Sequence, residues 1–128
     1  MTEEHPAGSR IYDATPAPWN AEMLGGLLQR YGYVPGSADG EWILPWTSLG
    51  QIRVALGDDA VKVEAADPDG SPFWRVVLKG NVSPWGLMGV ANEALTRIEV
   101  KHNLRPAYST VADSLAFARE WVISEEWV

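Results

Sequence analysis

Imidazole is scarce in this sequence, thiol is absent, and the many carboxylates are not arranged for chemistry. Of its 128 residues two are histidine and none is cysteine, which excludes thiolate catalysis, disulfides and cysteine-ligated metals. His5 lies in a polar N-terminal stretch, and His102 stands between Lys101 and Asn103 in a connecting segment. A histidine base needs a nucleophile in hydrogen-bond reach and a third group to orient it, and no G-x-S-x-G elbow occurs. Two distant histidines without a cysteine do not make a zinc site.

The carboxylates are more numerous but do not converge. Asp67-Pro68-Asp69-Gly70 begins like a calcium loop, yet its twelfth position falls on Leu78, where that loop needs a bidentate glutamate. A hairpin turn with proline at its second position explains the same residues. Asp58 and Asp59 are adjacent in another turn and diverge. Glu41 beside Trp42 is an acid next to an aromatic ring, with no spacing that specifies a reaction. Neither a Walker loop nor a G-x-G-x-x-G fingerprint is present. The expectation is a protein without catalytic residues, metal or cofactor, and not an enzyme.

The aromatic residues offer more. Seven tryptophans stand at Trp19, Trp42, Trp46, Trp74, Trp85, Trp121 and Trp127. Tryptophan removes about 150–250 Å² from water when buried and dominates binding hot spots when it is not. Trp42 and Trp46 lie four residues apart across Pro45, close to Tyr33. If Pro45 confines this segment to a sheet edge, Tyr33, Trp42 and Trp46 form either a partly exposed patch that meets a partner or a small core closing one end of the sheet. A second candidate is the run Glu125-Glu126-Trp127. Two acids at the end of a helix oppose its dipole, so these residues either dock on a basic partner or second subunit, or fray with Trp127 tucked back.

Charge narrows the partner. Ten Lys and Arg against 17 Asp and Glu give a net charge of −7, which disfavours nucleic-acid phosphates and suits solubility or a basic protein partner. No apolar run approaches the roughly 20 residues of a membrane helix, and no basic-then-apolar leader opens the chain. The expectation is a cytoplasmic protein with no membrane or nucleic-acid partner.

The elements that position these residues follow from periodicity. A first helix is predicted from Pro16 or Pro18 to Tyr31, with Trp19, Met23, Leu24, Leu27, Leu28 and Tyr31 on one face and Gly32 ending it. Strands are predicted over Glu41–Trp46, Gln51–Leu56, Ala60–Ala65 and Pro72–Lys79, each alternating apolar and polar residues except the first, which Pro45 places at an edge. Gly80-Asn81 breaks the last strand. Ser83 then caps a second helix with Pro84 in its first turn and Val82 and Leu87 as a hydrophobic staple. Leu87, Ala91, Ala94, Leu95 and Ile98 form its stripe, and Glu93 and Arg97 pair across one turn. Residues 98–101 fit either helix or strand. A third helix is expected from Thr110, with Val111, Leu115, Ala118 and Val122 as its stripe. Gly25-Gly26 and Gly86 with Gly89 suggest that the first two helices touch closely over the sheet.

The resulting fold is α+β: an antiparallel meander of three or four strands, helices on one face, in the order α-β-β-β(-β)-α-α. Its boundaries are an arm over 1–14, one domain over 15–123 and an acidic tail over 124–128. The order resembles small acidic secretion-chaperone-like folds in topology, without a family motif. The function expected is a non-catalytic protein-binding module (an inhibitor, immunity factor, chaperone or accessory subunit) acting through Tyr33, Trp42, Trp46, Glu125, Glu126 and Trp127. The alternatives are a small-ligand binder with an aromatic pocket between sheet and helices, or a structural subunit of a homo-oligomeric assembly such as a phage's.

Overall fold

The alternation between residues 41 and 79 becomes an antiparallel meander that the molecule extends on both sides. The computed structural model describes residues 21–46, 48–104 and 115–128. Helix α1 (Ala21–Arg30) is followed by β1 (Val34–Pro35), β2 (Glu41–Trp46), β3 (Gly50–Leu56), β4 (Ala60–Ala66) and β5 (Pro72–Lys79). Helix α2 (Pro84–Lys101) then crosses one face of the sheet, and after a 3-10 turn at Ala116–Ala118 strand β6 (Val122–Trp127) returns beside β5. The six strands lie in the order β1-β2-β3-β4-β5-β6, every neighbour antiparallel. The class is mixed α+β as expected; the sheet has six strands, not three or four.

Register separates the two faces. Ile52, Val54, Leu56, Val61, Val63, Ala65, Trp74, Val76 and Leu78 all point to the covered side and are buried there under Leu87, Val90, Ala91, Ala94 and Ile98 of α2. Full burial of each Val, Leu or Ile contributes about 1.5–3 kcal/mol, so this layer is the main source of stability. On the other side, Arg53, Glu64, Arg75 and Glu126 stand directly opposite one another across β3, β4, β5 and β6. Arg75 donates to Glu64 at 2.7 Å and to Glu126 at 3.1 Å, while Arg53 pairs with Glu41 of β2. Opposite charges directly across strands reinforce register.

Helix α2 begins as its residues dictate. The Ser83 hydroxyl accepts from the Gly86 amide at 3.1 Å, Pro84 occupies the first turn, and Val82 and Leu87 are both fully buried. Residues 98–101 are helical. The helix ends at Asn103, whose φ of 61° is left-handed, with Asn103 N–H donating to Val100 O at 3.1 Å and Leu104 N–H to Glu99 O at 2.9 Å. That pair of bonds is a Schellman motif with asparagine in the glycine position.

Two expectations are corrected. The third helix does not continue through Val122: residues 110–114 lie outside the described residues, and the rest forms a single 3-10 turn before β6. A helical spacing at 115, 118 and 122 gives way here to antiparallel pairing with β5, from Trp74 opposite Trp127 to Leu78 opposite Val122. As a strand, Glu125 and Glu126 face opposite sides of the sheet and meet no helix dipole. The residues read as a tail, 124–127, are therefore part of the sheet; the arm over 1–14 lies outside the described residues.

The helix glycines also do something other than join the two helices. A methyl group on Gly25 would sit 3.0 Å from the Trp42 ring, one on Gly86 2.8 Å from Trp121, and one on Gly89 would overlap Phe117. Each glycine is thus a seat for an aromatic ring. Gly26 faces open space.

Candidate functional site

The position of Tyr33 is set by how α1 stops. Gly32 adopts a φ of +93°, which an L side chain resists. With that turn the Gly32 amide donates to Gln29 O and the Tyr33 amide to Leu28 O, both at 3.1 Å, the two bonds of a Schellman motif. The residue after the glycine in such a motif packs back on the helix, and Tyr33 does so: it is only 4% exposed and belongs to the main core.

Strand β2 supplies the next wall. Leu44 stands opposite Ile52 and Trp46 opposite Gly50, so their side chains share the covered face of the sheet. Helix α2 supplies the far wall with Met88, Ala91, Asn92 and Leu95, four positions at helical spacings of three, one and three. Between these walls, with Tyr31 and Tyr33 at the end of α1, lies a cleft of about 430 Å³. Among the described residues that line it none is charged, and Asn92 and the tyrosine hydroxyls are the polar side chains apart from the Trp46 indole. Burial pushes the Tyr33 phenol well above its ordinary range, because the ionised form would lose its hydration.

Of the aromatic patch read from sequence, the cleft brings together Tyr33 and Trp46. Trp42 is half-buried nearby on the same face but packs its ring against Gly25 of α1. Tyr33 is buried, as in the small-core alternative and not as part of an exposed patch, because the glycine turn directs it inward. Leu44, Ile52, Met88 and Asn92 were not signalled as site residues. Met88 and Asn92 sit four residues apart beside the Leu87, Ala91, Leu95 stripe, a spacing that marks a second row facing the sheet only once the crossing of α2 is known.

The C-terminal candidates bind their own chain. Glu125 accepts the Trp74 indole N–H at 3.0 Å. Glu126 pairs with Arg75 and stays half exposed. Trp127 lies opposite Trp74 across the strand pair, stacks on Phe73 with centroids 6.4 Å apart, and is 55% exposed. The Arg97 guanidinium lies 5.5 Å from the Trp74 ring and 5.9 Å from that of Trp127, close enough for attraction to both π faces. Arg97 itself is buried and paired with Glu93 at 3.2 Å. Charge, stacking and hydrogen bonding together fasten β6 to the body.

Three other polar residues singled out in the sequence, His102, Asp67 and Asp69, make contacts within the protein. His102 Nε2 lies 3.1 Å from Leu49 O. The Asp69 carboxylate accepts from the Ser71 amide at 2.9 Å, and Asp67 pairs with Lys101 at 2.5 Å. His5 lies outside the described residues. Among the described residues no three His, Cys, Asp or Glu side chains gather as a metal site would require, and no helix is long and apolar enough to cross a membrane. No known protein family, curated protein or solved structure matches the chain.

Proposed function

We propose that this protein is a non-catalytic binding protein whose site is the cleft between α2, β2 and the end of α1, and that its ligand is a small, largely apolar molecule. One observation carries this reading: a concavity of about 430 Å³ lined by aliphatic and aromatic side chains with few polar groups. Small-molecule sites are typically about 300–1,000 Å³ and have that kind of lining. The walls come from three separate elements that are each anchored in the core, so the cleft is largely formed before anything enters it. A cytoplasmic setting suits a cysteine-free chain, and its net charge of −7 argues against nucleic acid as the partner.

The test is a thermal-shift screen against small apolar metabolites, run in parallel on an Asn92→Trp variant. Asn92 is exposed on the rim, so an indole there fills the cleft without disturbing the core. Ligands that raise Tm in the wild type and not in the variant support the proposal. A panel that raises neither, or raises both equally, removes it.

A second reading, a protein-binding module, is favoured by residues exposed along β6, the last strand of the sheet among the described residues. Ile123, Trp127 and Val128 are exposed on or beside β6, and Glu126 adds an exposed acid that suits a basic partner. Affinity capture from native extract with wild type and a Trp127→Ala, Glu126→Lys variant tests it: a stoichiometric protein recovered only by the wild type supports this reading. Self-assembly through the open face of the sheet has less support, because that face carries the Arg53, Glu64, Arg75, Glu126 row, which suits water better than a copy of itself.

A further inference from the structure

The Tyr33 hydroxyl is placed where a phenylalanine would do the same packing. Its ring is in the core, more than nine-tenths buried, and no described residue forms a hydrogen bond with the hydroxyl. The hydroxyl oxygen is not sealed from water, since among the described residues it is not one of the buried polar atoms that lack a hydrogen bond. Tyr33 lines the cleft, so its hydroxyl is a donor, held by no described residue, that a molecule entering there can take over from water.

We propose that Tyr33 is the recognition residue of the cleft, donating its hydroxyl hydrogen to an acceptor atom on a neutral, flat, mostly apolar ring system. This inference rests on the reading of the cleft as a ligand site and adds the chemistry of what it holds. The donor role follows from the surroundings: burial disfavours the phenolate, so the O–H is present throughout the neutral range. Neutrality follows from the lining, which has no charged residue among the described ones to balance an ion taken out of water. A flat ring follows from Tyr31, Tyr33 and Trp46, whose aromatic surfaces stack on or edge against a planar guest better than a branched one. Asn92, on the opposite wall, offers an amide at the rim for a second polar group of the ligand.

A matched pair of probes isolates the hydroxyl. Quinoline and naphthalene have nearly the same shape, and only quinoline carries a ring-nitrogen acceptor. Their affinities are measured near neutral pH, where quinoline is uncharged, for wild type and for Tyr33→Phe, which keeps the ring and removes the O–H. The expected result is that the quinoline-to-naphthalene affinity ratio falls about fivefold in the variant, the size of one hydrogen bond, with naphthalene binding unchanged. Unchanged naphthalene binding also shows that the variant keeps the cleft. A ratio that is the same in both proteins overturns the role of Tyr33 and leaves the cleft as a ligand site. Binding of neither probe by the wild type overturns the cleft reading, and this inference with it.

Discussion

The amide of Tyr33 donates to the carbonyl of Leu28 at 3.1 Å, and this one bond ties the end of α1 to the floor of the cleft. It exists only because Gly32 between them takes a left-handed φ of +93°. Gly32→Ala is therefore expected to lower stability by about 1–2 kcal/mol, read as a lower urea midpoint. Gly32→Asn, which tolerates that conformation better, should lose less. Equal stability for glycine and alanine would show that the turn is not under this constraint.

The four helix glycines make opposite predictions from one sequence feature. Gly26 faces open space on α1, so Gly26→Ala should raise stability by up to about 1 kcal/mol through helix propensity. A methyl on Gly89 would overlap Phe117, whose ring packs edge-on against Trp85 with centroids 5.4 Å apart. Gly89→Ala should lower stability by about 1–3 kcal/mol as that aromatic pair is displaced. Thermal melts of the two variants decide this directly, and a shift of the same sign in both would contradict the packing described.

Acid should weaken the β2–β3 corner. The hydrogen bond from Arg53 holds the Glu41 carboxyl below its ordinary range, helped by the Ala38 and Ser37 amides. A depressed pKa in the folded state means that the contribution is present above the unfolded pKa and is lost as pH falls through the folded value. Glu41→Gln should thus be less stable than wild type at neutral pH, with the difference closing on acidification below the usual carboxylate range. Chemical denaturation across that pH window checks it; a difference that stays constant would assign the effect to packing.

The charged row on the open face should be unequal along its length. Glu64 is buried, and Arg75 holds it at 2.7 Å. Arg75→Leu leaves that carboxylate without its partner and should cost about 1–3 kcal/mol. Glu126→Gln removes a half-exposed partner of the same arginine and should cost under about 1 kcal/mol. Urea titration of both variants gives the ordering, and a larger loss for Glu126→Gln would contradict it.

What could be read from sequence tracks how local the cause is. Ile52, Val54 and Leu56 alternate within one strand, and Ser83, Pro84 and Leu87 cap and staple one helix, so β2 to β5 and the start of α2 were legible. Strand β6 was not, because what holds it comes from far along the chain: Trp74 reaches Glu125 and Arg97 reaches Trp127 only after the sheet has formed. Its own residues instead suggested a helix running into an acidic tail. The glycine pairs were recognised as close approaches, but to a helix and not to aromatic rings, since residue type reports that space is needed and not who fills it. Tyr33 and Trp46 were named as neighbours, while Met88 and Asn92 join them only through the angle at which α2 crosses the sheet. The local turn at Gly32 is legible in the sequence; whether it sends Tyr33 outward or into the core is not, because that depends on where the sheet and α2 lie.

If ligands enter between α2 and β2, amide chemical-shift mapping with quinoline will place them there. The largest shifts are expected at Tyr33, Leu44, Trp46, Asn92 and Leu95, saturating together at one affinity. Largest shifts along Val122–Trp127, or small shifts spread evenly over the protein, would contradict it.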